Sequence, residues 1–217
     1  MSQKEIVAFI KIGEKKHLEE FYHKGLIYMN PINFFKNIED GKLRGDLHEG
    51  RHIVSQGDFI KLKINNDWLE FSKQKNQYFN CQFYQEYAKT KGNIFSMYTL
   101  FMPKEGELVS VDERNLEFGD YCLVITYTEE FINRVKASFE ANSIKFKCGF
   151  VDYYNYKIFS GKAGVFHKSN IYDYQNEFRL FYENESDNPF SIRIVSISDI
   201  LKIFKSQALL DIRIWRK

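Results

Sequence analysis

The run Tyr174-Gln-Asn-Glu-Phe-Arg-Leu-Phe181 sets Gln175, Glu177 and Arg179 at alternate positions of a β-prone segment. Alternate side chains of a strand share a face, so an amide, a carboxylate and a guanidinium would stand together at the mouth of an apolar strand. A carboxylate held there can stabilise positive charge or orient a hydroxyl, with Gln175 as its hydrogen-bonding companion. The plainer reading is a solvent-facing strand side whose in-line Glu–Arg pair contributes well under ~1 kcal/mol.

Two further groups could join that face. Between Glu39 and Gly50, Asp40, Arg44, Asp46, His48 and Glu49 crowd between glycines, which let a backbone approach a ligand closely. Arg44 suits a phosphate, whereas the spacing of Asp46, His48 and Glu49 is not specific for a metal, and a solvated loop is the simpler account. Asn93 to Tyr98 puts Ser96 and Tyr98 on one face of a strand, where such hydroxyls also satisfy core hydrogen bonds. Phe166-His167-Lys168 reads as a strand end with a basic tip. The chain has no Gly-x-Ser-x-Gly nucleophile elbow, no Gly-x-x-x-x-Gly-Lys phosphate loop and no glycine-rich dinucleotide turn.

The elements that must position these residues follow from periodicity. Ile6 to Ile12 reads as a strand and Glu14 to Lys24 as a helix with Leu18, Phe21 and Tyr22 on one side, ended by Gly25. Leu26 to Met29 is a short strand closed by Asn30-Pro31, followed by a helical turn through Phe34 and Phe35. His52 to Ser55, Phe59 to Ile64 and Trp68 to Phe71 read as antiparallel strands, with Asn65-Asn66-Asp67 as a turn. Tyr78 to Tyr87 fits a strand or a short helix. Ile94 to Met102 and Tyr121 to Tyr127 are strands, separated by a turn from Asp112 to Phe118 capped by Asp112. Thr128 to Asn142 is the clearest helix, with Thr128 as N-cap and Phe131, Ile132, Val135 and Phe139 facing inward. Ile144 to Tyr153 reads as one strand, Gly161 to Gly164 as a mobile turn, and Glu177 to Tyr182 with Phe190 to Ile197 as a strand pair. A helix from Ser198 to Phe204 and a strand from Leu209 to Trp215 close the chain. Strands and helices in no regular alternation predict an α+β fold with a mostly antiparallel sheet, over 1–217 as a single domain.

Composition bounds the rest. The 217 residues include 21 Phe and 14 Tyr, so the core is built from rings, and an ordered chain is expected. A formal charge of +2 gives no global field for nucleic acid or an anionic membrane. Cys81, Cys122 and Cys148 read as small reduced core residues. With no apolar leader and no apolar run of membrane-spanning length, the sequence predicts a cytoplasmic protein without a membrane partner.

The order of motifs resembles an uncharacterised bacterial family with a Gly-x-Leu-Tyr-Phe-x-x-Pro-x-x-Phe-x-x-x-x-Asp stretch. Here that stretch runs from Gly25 to Asp40 and is joined by Phe95-Ser96 and by Lys168, Tyr172, Glu177 and Arg179 of a late Lys-x-x-x-Tyr pattern. More distantly, a strand, a helix, Gly-Leu, a central Ser strand and a late Gln-x-Glu are similar to the order in ADP-ribosyltransferase folds. That resemblance implies NAD as the cofactor, Glu177 as the catalytic glutamate, Gln175 as its companion, Ser96 at the nicotinamide-ribose site and Tyr98 as a stacking ring. Where that pattern has a His or Arg on the first strand, this chain carries only Lys11, with Arg44 as the other candidate anchor.

Three functions stand on these readings. The first is transfer of ADP-ribose from NAD to a macromolecular acceptor, in a toxin or phage-defence setting. The second is a non-enzymatic binding or ligand-sensing domain with a protein partner. The third is nucleic-acid processing through Arg44, Lys168, Arg179 and exposed rings.

Overall fold

The computed structural model describes residues 5–37, 53–57, 59–72, 81–85, 91–104 and 109–214. The Glu39–Gly50 loop with Arg44 lies outside them. Its strands are β1 (Ile6–Gly13), β2 (Leu26–Pro31), β3 (Ile53–Gly57), β4 (Phe59–Ile64), β5 (Asp67–Ser72), β6 (Cys81–Gln85), β7 (Gly92–Phe101), β8 (Tyr121–Ile125), β9 (Lys147–Phe150), β10 (Asp152–Tyr154), β11 (Gly161–Lys162), β12 (His167–Ser169), β13 (Glu177–Glu183), β14 (Phe190–Arg193) and β15 (Leu201–Lys205). The α-helices are α1 (Lys15–Lys24), α2 (Ile32–Asn37) and α3 (Thr128–Ala141), with short 3-10 helices at Glu113–Phe118, Asn170–Gln175 and Ser206–Leu210. The fold is α+β with mostly antiparallel sheets and few helices, as the irregular alternation predicts; β10 and β12 pair in parallel.

An eight-stranded sheet runs β14-β2-β7-β1-β8-β15, with β13 on β7 and β9 on β13. The branch is the feature that positions the site. Tyr98 of β7 pairs with Glu177 of β13 and with Ile10 of β1, so β13 and β1 occupy opposite edges of β7. β2 joins the β1 edge further back, at Asn93 and Ile94. Between these two attachments the sheet forks, and Phe95, Ser96 and Met97 have no ladder partner on that edge. Buried Asn93 ties the base of the fork: its Nδ2 donates to Met29 O at 3.1 Å and to Asn188 O at 2.9 Å, while its Oδ1 accepts from Asn184 Nδ2 at 2.6 Å.

One face of the sheet packs against α1 and α3. Phe9, Phe95, Met97, Phe178 and Leu180 meet Leu18 and Phe21 of α1 and Phe131, Val135 and Phe139 of α3. The core is ring-built: Phe9 stacks on Phe178 at 4.5 Å, and Phe21 meets Phe95 edge-on at 5.5 Å. The other face carries Ala8, Ile10, Leu100, Val111, Cys122 and Leu209. Helix α1 ends as its sequence dictates, with Gly25 left-handed at φ 61° and its N–H closing on Glu20 and Phe21 carbonyls.

Several sequence expectations are corrected. The expected strand Ile144 to Tyr153 divides at Val151, whose N–H donates to Glu177 O while Asp152 N–H turns to Phe166 O. β13 does not pair with β14, because β7 and β9 take both its edges and β14 finds β2. Leu201–Lys205 is a strand rather than a helix, paired along β8, and Ser206–Leu210 is a 3-10 helix where a closing strand was expected. Gly161–Lys162 pairs with β3 instead of forming a mobile turn. Thr128 begins α3 but does not cap it; Tyr127 holds that position with no side-chain cap. Cys122 is buried as expected, but Cys148 is exposed on β9.

Candidate functional site

A cavity of about 640 Å³ opens at the fork, within the roughly 300–1,000 Å³ usual for small-molecule sites. β1 and the flank of α1 form one side, β2 and α2 the other, and residues Phe95 to Tyr98 of β7 the floor. The inner end is polar: Lys168 from β12, Gln175, Glu177 and Arg179 around the start of β13, and Asn115. Of the lining rings, Tyr28 and Phe34 expose 53% and 38% of their surface, enough to offer a ring to a ligand.

Antiparallel register explains why distant residues meet. Glu177 lies opposite Tyr98 and Arg179 opposite Ser96, and directly paired residues project from the same face of a sheet. Gln175 arrives by another route than the strand alternation predicted. It ends the Asn170–Gln175 3-10 helix, and Asn176 then takes the left-handed conformation at φ 42°. Asn tolerates that conformation, and here it is pinned on both sides: Nδ2 donates to Thr99 O at 2.6 Å and the carbonyl accepts from Thr99 N–H at 2.8 Å. The turn lets Gln175 and Glu177 converge on one point.

That point is the Lys168 ammonium, 2.6 Å from Gln175 Oε1 and 2.8 Å from Glu177 Oε1. On its other oxygen Glu177 accepts from Arg179 Nε at 2.8 Å. Arg179 Nη1 also donates to Val165 O, and the Glu177 N–H donates to Tyr153 Oη at 2.9 Å. Lys168, Glu177 and Arg179 are all buried, so the exposed ion pair of the plainer reading is replaced by a desolvated triad. Burial alone would raise the Glu177 carboxyl; the Arg179 and Lys168 charges and their hydrogen bonds outweigh it and hold the group far below the usual carboxylate range. Burial and then the Glu177 charge push the Tyr153 hydroxyl far upward, so it stays protonated.

Lys11 reaches across the fork. Its Nζ donates to the unladdered Ser96 carbonyl at 2.7 Å and sits 4.4 Å from the Phe95 ring centre. The structure thus brings together Glu177, Gln175, Ser96, Tyr98 and Lys11; Arg44 lies outside the described residues. Lys168 was read as a nucleic-acid contact and not as part of this site, and Asn115, Tyr28 and Phe34 were missed. Lys168 had one signal, its fixed place before Glu177 in the late Lys-x-x-x-Tyr pattern, but a strand-end lysine reads as solvated. Asn115 had none: its Nδ2 donates locally to the Asp112 carbonyl, and its bond to the Tyr174 carbonyl, 59 positions away, exists only through tertiary packing.

Among the described residues, no cluster of three or more His, Cys, Asp or Glu side chains could hold a metal, and no helix is long and apolar enough to cross a membrane. Comparison with protein-family models, curated proteins and solved structures finds no match to this chain.

Proposed function

We propose that the fork cavity takes NAD and that the chain transfers ADP-ribose to a macromolecular acceptor, on an ADP-ribosyltransferase-like arrangement of strands. The observation that carries this reading is the pairing of Glu177 with Tyr98 and of Arg179 with Ser96 at the inner end of a ligand-sized cavity. Transfer breaks the bond between the ribose C1′ and the nicotinamide nitrogen. Nicotinamide leaves with the bonding electrons, and C1′ bonds to an acceptor atom that gives up a proton. A group that favours positive charge at C1′ and fixes a ribose hydroxyl lowers that barrier.

Glu177 can fill both roles and is unsuited to a third. Its carboxyl is held ionised, so it accepts a hydroxyl hydrogen bond and does not donate a proton. A carboxylate accepts about four hydrogen bonds, and Oε2 receives only Arg179 Nε among the described residues, which leaves it a lone pair for a ligand. Lys11 stands on the first strand at the fork, where a cation can contact the ligand's phosphates. Tyr98 and the exposed rings Tyr28 and Phe34 supply flat apolar surface for a heteroaromatic ring. The test is nicotinamide release and label transfer from labelled NAD in a cell lysate. Wild type should show both and folded Glu177→Gln neither; equal turnover by the two proteins refutes the reading.

One observation favours a second reading, a ligand-sensing domain without turnover. Lys168 and Arg179 already compensate the Glu177 charge, and a compensated carboxylate stabilises a developing cation less. Calorimetric binding of NAD with no nicotinamide release would select the sensor.

A further inference from the structure

We propose that Lys168 is the positioning residue of this cavity, a buried ammonium that fixes the Gln175 amide and the Glu177 carboxylate as one rigid pair facing the ligand. As a role in catalysis the proposal rests on the ADP-ribosyl transfer reading; as a statement about the site it stands without it. An ammonium carries only N–H donors. Its 2.6 Å contact with Gln175 therefore determines which amide atom faces it: Oε1 turns to Lys168 and Nε2 turns away, toward Tyr174 Oη at 3.2 Å. The same nitrogen is 2.8 Å from Glu177 Oε1 and 4.7 Å from the Tyr172 ring centre. Only 5% of the Lys168 side chain is exposed, so water does not replace these contacts.

The elements that bring the partners in differ, and among the described residues Lys168 is the side chain that bonds both. Gln175 ends a 3-10 helix and Glu177 begins a strand, with left-handed Asn176 between them. Their side chains share no hydrogen bond between themselves among the described contacts; Lys168, from β12, is the atom they have in common. Among the described residues, the charged and titratable groups around Glu177 are Arg179 on its own strand, Lys168 on β12, Tyr153 on β10 and Tyr98 across on β7. Arg179 bonds chiefly the other oxygen, Oε2, at 2.8 Å, with Nη2 3.4 Å from Oε1.

The decisive measurement is the titration of the Glu177 carboxyl by carbon-13 NMR on the intact chain, with NAD turnover followed in parallel. Lys168→Met should move the Glu177 titration upward and lower kcat at least tenfold, with a smaller change in KM. Lys168→Arg, which keeps the charge, should restore the titration but not the rate, because a planar guanidinium cannot occupy the same point between both partners. A Glu177 titration unmoved in folded Lys168→Met overturns the proposal, whether or not wild type consumes NAD. If the titration moves while wild type consumes no NAD, the positioning role stands and ADP-ribosyl transfer fails. Should Lys168→Met not fold, nitrogen-15 NMR of wild type decides: a slowly exchanging Lys168 ammonium signal supports the proposal, and a freely exchanging one overturns it.

Discussion

Glu177→Gln is the sharpest perturbation of this molecule, because it removes a negative charge that Lys168 and Arg179 share while preserving side-chain shape. A glutamine can turn Oε1 to Lys168 at the 2.8 Å position, but its NH2 then faces Arg179 Nε, donor against donor. Lys168 and Arg179 expose 5% and 2% of their side chains, so neither charge is recovered by water. Removing one partner of a buried ion pair costs about 3–5 kcal/mol. For a chain of this size about 2–4 °C of Tm accompanies each kcal/mol, so the melting temperature should fall by roughly 6–20 °C.

Acid sharpens the test. The folded carboxyl lies below its unfolded value, so its contribution is present above the unfolded pKa and lost as pH falls through the folded one. The gap between wild type and variant should be full above about pH 5 and narrow steadily below it, as the unfolded glutamate, with a pKa of about 4.3, protonates. Calorimetric melts of both proteins across that range provide the assay. Equal melting temperatures at neutral pH, or a gap that does not change with acid, would refute the buried-triad account.

Other changes separate backbone, ring and thiol chemistry. Gly25→Ala should destabilise by about 2 kcal/mol or more, read as a lower denaturation midpoint, since its φ of 61° disfavours a side chain and the added Cβ would meet the Ile194 carbonyl oxygen. Tyr28→Ala should leave the melt within about 0.5 kcal/mol, because the ring is half exposed. The same change should weaken NAD binding roughly fivefold in Kd, as lost ring stacking of about 1 kcal/mol implies. Maleimide should label exposed Cys148 but not Cys122, whose thiol burial pushes up to about 11; mass mapping after brief exposure checks the order.

The local elements were legible because their causes are local. Ile6–Gly13 is β-branched and apolar, Phe131, Val135 and Phe139 recur at helical spacing, and Gly25 and Asn65 mark a helix end and a turn. Where the sequence misled, edge competition decided. Leu201–Lys205 has no strong preference of its own and became a strand because β8 offered a free edge. The Gln175/Glu177/Arg179 face was readable as a cluster, but not its burial, since nothing local shows that β7 and β9 cover both edges of β13.

By itself, then, the sequence determined an α+β, ring-cored chain and the polar run from Tyr174 to Phe181, because propensity, periodicity and turn chemistry act over a few residues. Only the tertiary structure decided that Glu177 and Arg179 of this run join Lys168 in a buried charge triad at a forked sheet. Strand register joins Glu177 to Tyr98 across 79 positions, and whether Lys168 is solvated or locked depends on which strands pack over it.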